Sequence, residues 1–228
     1  MAAVESETKE CRQFVGGEWL DAAGGGTFKD VDPFTGDTVA TVPAGGREDA
    51  RRAIEAAAGT FPEWSQSPPA ARQAVFLKAA DLLEGRQDDI VSWLARETGC
   101  TFGFAVFQMG FVAGLFRQTA ALAYAPIGTV IPSDTGVFAM SVRKPVGVVG
   151  AIAPWNAALI LSARSISSPL GLGNTVVLKP SELSPFSGGL LWGEIFTEAG
   201  ESVALLGEVI AAEGEHRVVY NGHLDLAL

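Results

Sequence analysis

Residues 146–162, VGVVGAIAPWNAALILS, and residues 173–182, GNTVVLKPSE, decide how this chain is expected to fold. Each segment contains an apolar run of the length of a buried strand, and each run ends in polar residues. Asn156 follows the first run, and Lys179 and Glu182 close the second. The two segments therefore predict two buried strands whose ends carry polar side chains.

The predicted strands, Val146–Ala153 and Thr175–Leu178, are each followed by a segment with helical spacing, at about 158–170 and 185–199. Apolar strands that alternate with helices indicate a parallel sheet covered by helices on both faces. At most three parallel strands are expected, fewer than a full Rossmann-type unit needs. We therefore predict an α/β fold with an incomplete Rossmann-like parallel sheet and flanking helices.

The rest of the chain divides into further parts. Residues 1–12 are predicted to be a disordered tail, and 13–125 to form short strands followed by helices. Residues 126–145 contain two extended pieces around the tetrapeptide SDTG, which is typical of a hairpin turn. A helix is expected from Glu201, followed by a third short strand within 216–220.

Polar residues at the ends of parallel strands indicate a ligand site, because ligands bind outside the carboxyl ends of such strands. Asn156, Lys179 and Glu182 are expected on the same edge of the sheet. A carboxylate there suits the hydroxyls of an adenosine ribose, a lysine can donate to the same hydroxyls, and an amide can donate to an oxygen that gains negative charge. The alternative is that they are solvated loop charges and a turn-forming asparagine.

Composition excludes several classes of partner. A net charge of −10 and a pI near 4.7 argue against a surface for nucleic acid or anionic membranes. The apolar segments 101–116 and 146–162 are interpreted as buried elements and not as membrane spans. With two cysteines and no signal-peptide pattern at the start of the chain, the cytoplasm is the expected compartment.

A metal site is not predicted. His216 and His223 lie seven residues apart, with Asp225 nearby. A metal pair is conceivable, but solvated residues of a tail are the favoured interpretation of these side chains.

The tetrapeptide APWN at 153–156, followed by GNTVVLKPSE, resembles the motifs of the aldehyde dehydrogenase superfamily. The resemblance covers about residues 13–200 and includes FVGGEWLDAAGGGTF, DPFTGD and EIFTEAG. The segments ETGCTFGFAVFQMGFVAGLFRQTAA and GTVIPSD are most similar to the branch that oxidises benzaldehyde, vanillin and salicylaldehyde. This resemblance implies an oxidoreductase that converts an aromatic aldehyde into a carboxylic acid.

The resemblance also implies roles for individual residues. Asn156 matches the asparagine that donates to the oxyanion of the thiohemiacetal intermediate. Lys179 and Glu182 match the residues that hold the adenine ribose. The cofactor groove is completed by Ala153, Pro154, Trp155 and Ser181.

The cofactor implied is NAD, because the carboxylate of Glu182 repels a 2′-phosphate. Lys179 and Ser181 leave NADP possible.

Family chemistry also needs a cysteine nucleophile and a glutamate base. In relatives these residues lie downstream of GNTVVLKPSE, whereas no cysteine follows Cys100 here. Cys11 and Cys100 match no catalytic position, and the resemblance stops at Gly200. We therefore expect an amino-terminal fragment without the catalytic domain, inactive alone.

Two other functions stay open from the sequence. The chain is also compatible with a non-catalytic cofactor-binding or assembly module. It is compatible as well with an enzyme of another class that uses Asn156 for a reaction without a covalent intermediate.

The resemblance divides the chain into a partial cofactor-binding domain, 13–125 and 146–228, and an oligomerisation hairpin, 126–145. In relatives the remaining strand of that arm comes from the carboxyl terminus. A homo-oligomer or a partner chain bound through the hairpin is therefore implied. An aromatic aldehyde is implied as substrate only where a catalytic half is supplied.

Overall fold

The computed structural model describes residues 8–200 and the backbone of residues 206–208. Its helices are α1 (Arg47–Ser65), α2 (Pro69–Gly85), α3 (Gln87–Thr98), α4 (Phe102–Leu122), α5 (Ala158–Gly171) and α6 (Leu191–Glu198). Its strands are β1 (Lys9–Glu10), β2 (Gln13–Val15), β3 (Glu18–Leu20), β4 (Thr27–Val31), β5 (Thr38–Pro43), β6 (Gly128–Ile131), β7 (Ala139–Val142), β8 (Val148–Ile152), β9 (Thr175–Lys179) and β10 (Leu206–Glu208).

The central sheet has the order β10-β9-β8, and all its pairs are parallel. In the β8–β9 pair, Val148 lies opposite Thr175 and Ile152 lies opposite Lys179. The prediction of two neighbouring parallel strands is therefore confirmed. Helices α1 and α5 both pack against this sheet, so the expected α/β arrangement is also confirmed.

The third strand differs from the sequence prediction. A helix was expected from Glu201, but Leu206–Glu208 form β10 and pair with Val176–Leu178 of β9. The physical reason is that strand propensity depends on available partners, and β9 offers an unpaired edge at this position. The strand expected within 216–220 lies outside the described residues.

Residues 8–12 differ from the prediction of a disordered tail over residues 1–12, whereas residues 1–7 lie outside the described part of the chain. Lys9 and Glu10 form β1, which pairs in parallel with Ala40 and Thr41 of β5. The ammonium of Lys9 lies 2.9 Å from the carboxylate of Glu194 in α6. Backbone pairing and this ion pair order residues whose polar composition alone predicts disorder.

A layer of helices packs against α5 and holds much of the core. Helices α2 and α4 pack together, and the ring centroids of Phe76 and Phe116 lie 5.4 Å apart at their contact. Trp192 of α6 is fully buried and donates from Nε1 to Oγ of Ser162 at 2.8 Å. Among the residues described here, no helix is both long and apolar enough to cross a membrane.

The predicted hairpin is present, since β6 and β7 pair in antiparallel fashion from Gly128–Val142 to Ile131–Ala139. Gly136 adopts φ +83° in the turn, a conformation that favours glycine. The hairpin carries apolar side chains that remain exposed, including Val130 (64%) and Phe138 (75%).

Candidate functional site

The carboxyl ends of β8 and β9 form one edge of the sheet, which we call the carboxyl rim. Beyond the last ladder pair, the backbone N–H of Ala153 still donates to the carbonyl of Lys179, at 3.1 Å. Asn156 follows three residues after this contact on one chain segment, and Glu182 follows three residues after it on the other. The parallel register therefore brings Asn156, Lys179 and Glu182 to the same edge.

Lys179 and Glu182 form a loose pair at the carboxyl rim. The Nζ atom of Lys179 lies 3.9 Å from Oε2 of Glu182, and the two side chains are 20% and 19% exposed. The same ammonium donates to the carbonyl of Pro180 at 3.2 Å. A half-buried donor next to a half-buried acceptor suits neighbouring hydroxyl groups, which both donate and accept.

Residues 180–185, which we call the β9 loop, carry Glu182. Ser181 is buried, and its Oγ accepts from the N–H of Leu183 at 3.2 Å. Its carbonyl accepts from the N–H of Ser184 at 3.2 Å. Ser181 therefore shapes the loop, and its hydroxyl is partly used within it.

The turn between β8 and α5 forms the other half of the carboxyl rim. Ala153 is buried, whereas Pro154, Trp155 and Asn156 are exposed. Helix α5 begins at Ala158 with no acidic residue in its first turn. The Asn156 amide and the positive end of this helix both favour negative charge at the rim.

The segment that follows the β9 loop was predicted as one helix and is divided in the structure. Phe186–Leu190 form a short π-helical turn, and α6 continues from Leu191. A Cβ atom added at Gly189 would lie 2.6 Å from Cγ of Pro180. The turn therefore packs directly against the start of the β9 loop.

Glu97, at the end of α3, was missed by the sequence analysis. Its Oε1 accepts from the N–H of Phe186 at 2.7 Å, and its Oε2 accepts from the N–H of Ser187 at 2.9 Å. The Ser187 hydroxyl donates to the same carboxyl group. The available signal was a glutamate on the buried stripe that Ile90 and Leu94 begin.

Burial raises the pKa of Glu97. Burial also raises the pKa of Asp30 in β4 to about 8, with the neighbouring Glu97 carboxyl as the second cause. The carboxyl groups of Asp30 and Glu97 are therefore close enough to influence each other.

Cys11 lacks the features of an activated nucleophile. Burial raises the pKa of the Cys11 thiol to about 12, although Lys9 opposes the shift. A thiol with this pKa has almost no thiolate at neutral pH. Cys100 is half-buried just after the end of α3.

Helix α4 presents exposed aromatic rings. The ring centroids of Phe104 and Phe107 lie 6.2 Å apart, as do those of Phe107 and Phe111. A Cβ atom added at Gly171, the last residue of α5, would lie 2.5 Å from Cγ2 of Thr119. The carboxyl-terminal parts of α4 and α5 therefore pack closely against each other.

No group of three or more potential metal ligands occurs within the described part of the chain. His216 and His223 lie outside it.

Residues 19–217 match the model of the aldehyde dehydrogenase family. The vanillin dehydrogenase of Pseudomonas sp. (strain HR199 / DSM 7063) is 46% identical over 187 residues, which are 82% of this chain and 38% of that protein. The chain thus spans about two fifths of the length of this curated relative.

Solved structures of aldehyde dehydrogenases are similar in fold. A salicylaldehyde dehydrogenase from Pseudomonas putida G7 complexed with salicylaldehyde superposes with a TM-score of 0.86 at 32% identity, covering 90% of this chain and 42% of that one. An NAD-dependent benzaldehyde dehydrogenase from Corynebacterium glutamicum gives 0.86 at 31% identity, covering 94% and 45%. The chain belongs to the aldehyde dehydrogenase family.

Proposed function

We propose that the carboxyl rim binds the adenosine half of a nicotinamide dinucleotide. The observation that carries this proposal is the Lys179–Glu182 pair at the end of β9, beside the parallel strand β8. Glu182 accepts from the ribose hydroxyls and Lys179 donates to them. The groove is completed by Ala153, Pro154, Trp155 and Ser181.

NAD is the proposed cofactor, with NADP as the second possibility. The Glu182 carboxylate repels a phosphate at the ribose 2′ position, whereas Lys179 and Ser181 offer donors to one. When bound, the nicotinamide supplies the hydride acceptor for aldehyde oxidation.

The proposed reaction is oxidation of an aromatic aldehyde to a carboxylic acid. The exposed side-chain amide of Asn156, next to the positive end of α5, donates to the oxygen that becomes negatively charged. The exposed rings on α4 offer a wall on which an aromatic substrate can stack. Two of the similar proteins are named for vanillin and salicylaldehyde.

The nucleophile and the base of this reaction are not assigned to the described residues. Cys11 is unsuitable because of its raised pKa, and Cys100 follows a helix end. The proposal therefore covers cofactor binding and oxyanion stabilisation, and we expect no aldehyde turnover from these 228 residues alone. Both cysteines are free, which suits a reducing compartment such as the cytoplasm.

Calorimetric titration of the purified chain with NAD and NADP tests the ribose assignment. Glu182→Gln is expected to weaken NAD binding about tenfold, near the lower end of the range for a lost hydrogen bond to a charged group, and to weaken NADP less. Glu84→Gln, an exposed glutamate on α2, serves as the matched control. Equal losses for both cofactors would contradict the assignment of Glu182 to the ribose.

A role in assembly is a second candidate function, supported by the exposed apolar side chains of β6 and β7. An unpaired apolar edge is a template for pairing, so the hairpin is proposed to join a second copy or a partner chain. Light scattering is expected to show association that Phe138→Asp weakens. Phe34→Asp, at a turn residue that is 93% exposed, is the control and is expected to change nothing. A strictly monomeric wild-type chain at high micromolar concentration would contradict this candidate.

A further inference from the structure

The β9 loop is held at its two ends in different ways. Its beginning follows Lys179, which is fixed by the β8–β9 ladder. Its end leads into Phe186 and Ser187, whose backbone N–H groups both donate to the buried carboxyl of Glu97. Glu182 lies between these two anchors, three residues after the first and four before the second.

Trp93 of α3 also contacts the residue that follows the β9 loop, Phe186. The ring centroids of Trp93 and Phe186 lie 4.4 Å apart. On the Phe186 ring, the ammonium of Lys9 sits 3.9 Å from the centroid. These contacts fix Phe186 laterally, while Glu97 fixes the direction of its backbone.

Stability alone does not explain why a carboxylate occupies this position, because burying its charge is energetically unfavourable. Glu97 is only 2% exposed, and a buried carboxylate loses its hydration. Short-range capping residues usually satisfy the free N–H groups at the start of a helix. Here the acceptor comes from a residue 89 positions earlier in the chain, so it ties the loop to a separate element.

We propose that Glu97 is a positioning residue for the ribose-binding carboxylate of Glu182. By accepting from Phe186, Ser187 and the Ser187 hydroxyl, it sets where the β9 loop ends and hence where Glu182 points. This inference rests on the proposed function of the carboxyl rim. Glu97 is proposed to act only through the loop, without contacting the ligand.

The test uses AMP and 2′,3′-dideoxy-AMP, titrated separately into the full chain. Their affinity ratio reports the contribution of the two ribose hydroxyls and is insensitive to a uniform loss of folded protein. The wild-type chain is expected to prefer AMP about tenfold, near the lower end of the range for a hydrogen bond to a charged group. Glu97→Gln keeps the shape but places an amide donor against a backbone donor, so the ratio is expected to fall to about twofold.

Two further variants keep the test decisive. Ser187→Ala removes one donor to Glu97, and its ratio decides the matter if Glu97→Gln does not fold. Asn174→Ala removes a buried anchor at the opposite end of β9 and is expected to leave the ratio unchanged. An unchanged ratio in folded Glu97→Gln, or in Ser187→Ala in its place, would overturn the inference. A wild-type ratio near one would overturn the ribose assignment itself, and this inference with it.

Discussion

Asn156 and Asn174 are residues of the same type that lie at opposite ends of the β8–β9 pair. Asn174 is buried, and its Oδ1 accepts from the N–H groups of Val146 and Gly147 at 2.7 and 3.2 Å. Its Nδ2 donates to the carbonyl of Pro169 at 3.1 Å. Asn156 is exposed at the carboxyl rim. The amide at the amino end forms hydrogen bonds within the fold, and the amide at the carboxyl end is exposed to solvent.

The largest expected effect is at the amino end. Asn174→Ala removes three part-buried hydrogen bonds, two accepted from the N–H groups of Val146 and Gly147 and one donated to the carbonyl of Pro169. At about 1 kcal/mol for each bond, the free energy of unfolding is expected to fall by about 3 kcal/mol. Urea denaturation followed by circular dichroism measures this change. Asn156→Ala, the matched control, is expected to change stability by less than about 0.5 kcal/mol. Equal losses for the two variants would remove the distinction between the ends.

The next largest loss of stability is expected at Gly189, which packs near the carboxyl end of β9. Gly189→Ala forces a Cβ atom against Pro180 and is expected to cost about 1 to 3 kcal/mol, the range for overpacking. Gly110→Ala on α4 is the matched control, because nothing lies within 4 Å of its added Cβ atom. That helix position is expected to gain up to about 1 kcal/mol from the better helix former. Thermal unfolding of both variants tests the difference, and a stable Gly189→Ala variant would contradict the close packing of the turn.

The smallest expected effect concerns the rim charges. Lys179 and Glu182 lie 3.9 Å apart and remain partly exposed, so their mutual attraction contributes little to folding. Lys179→Met and Glu182→Gln are each expected to shift the free energy of unfolding by less than about 0.5 kcal/mol, as measured by urea denaturation. A loss comparable to that of Asn174→Ala would mean that the pair is a structural anchor and not a site.

The part of the fold that follows local pattern was predictable from the sequence. Apolar runs and their order in the chain predict β8, β9, α5 and the polar edge between the strands, and the structure has them. The position of Lys179 and Glu182 follows directly from where β9 ends.

The features that the sequence analysis missed depend on distant partners. β1 requires β5, and β10 requires the free edge of β9. In its local sequence, Glu97 does not differ from any other charged residue near the end of a helix, because the N–H groups that bind it lie 89 and 90 residues away. The division of the helix predicted over 185–199 reflects packing of Gly189 on Pro180, which helical periodicity does not reveal.

The contact of Gly189 with Pro180 also bears on how this site can evolve. Residues 180–189 leave β9 and return so that Gly189 packs against Pro180. This contact fixes the number of residues that fit between the two positions. An inserted or deleted residue in this segment would break either the contact or the attachment to α3, because buried backbone tolerates such changes poorly. Under the proposed function of the carboxyl rim, cofactor preference is therefore expected to change by exchange of side chains at Ser181 or Glu182, with the number of residues between β9 and α6 held constant.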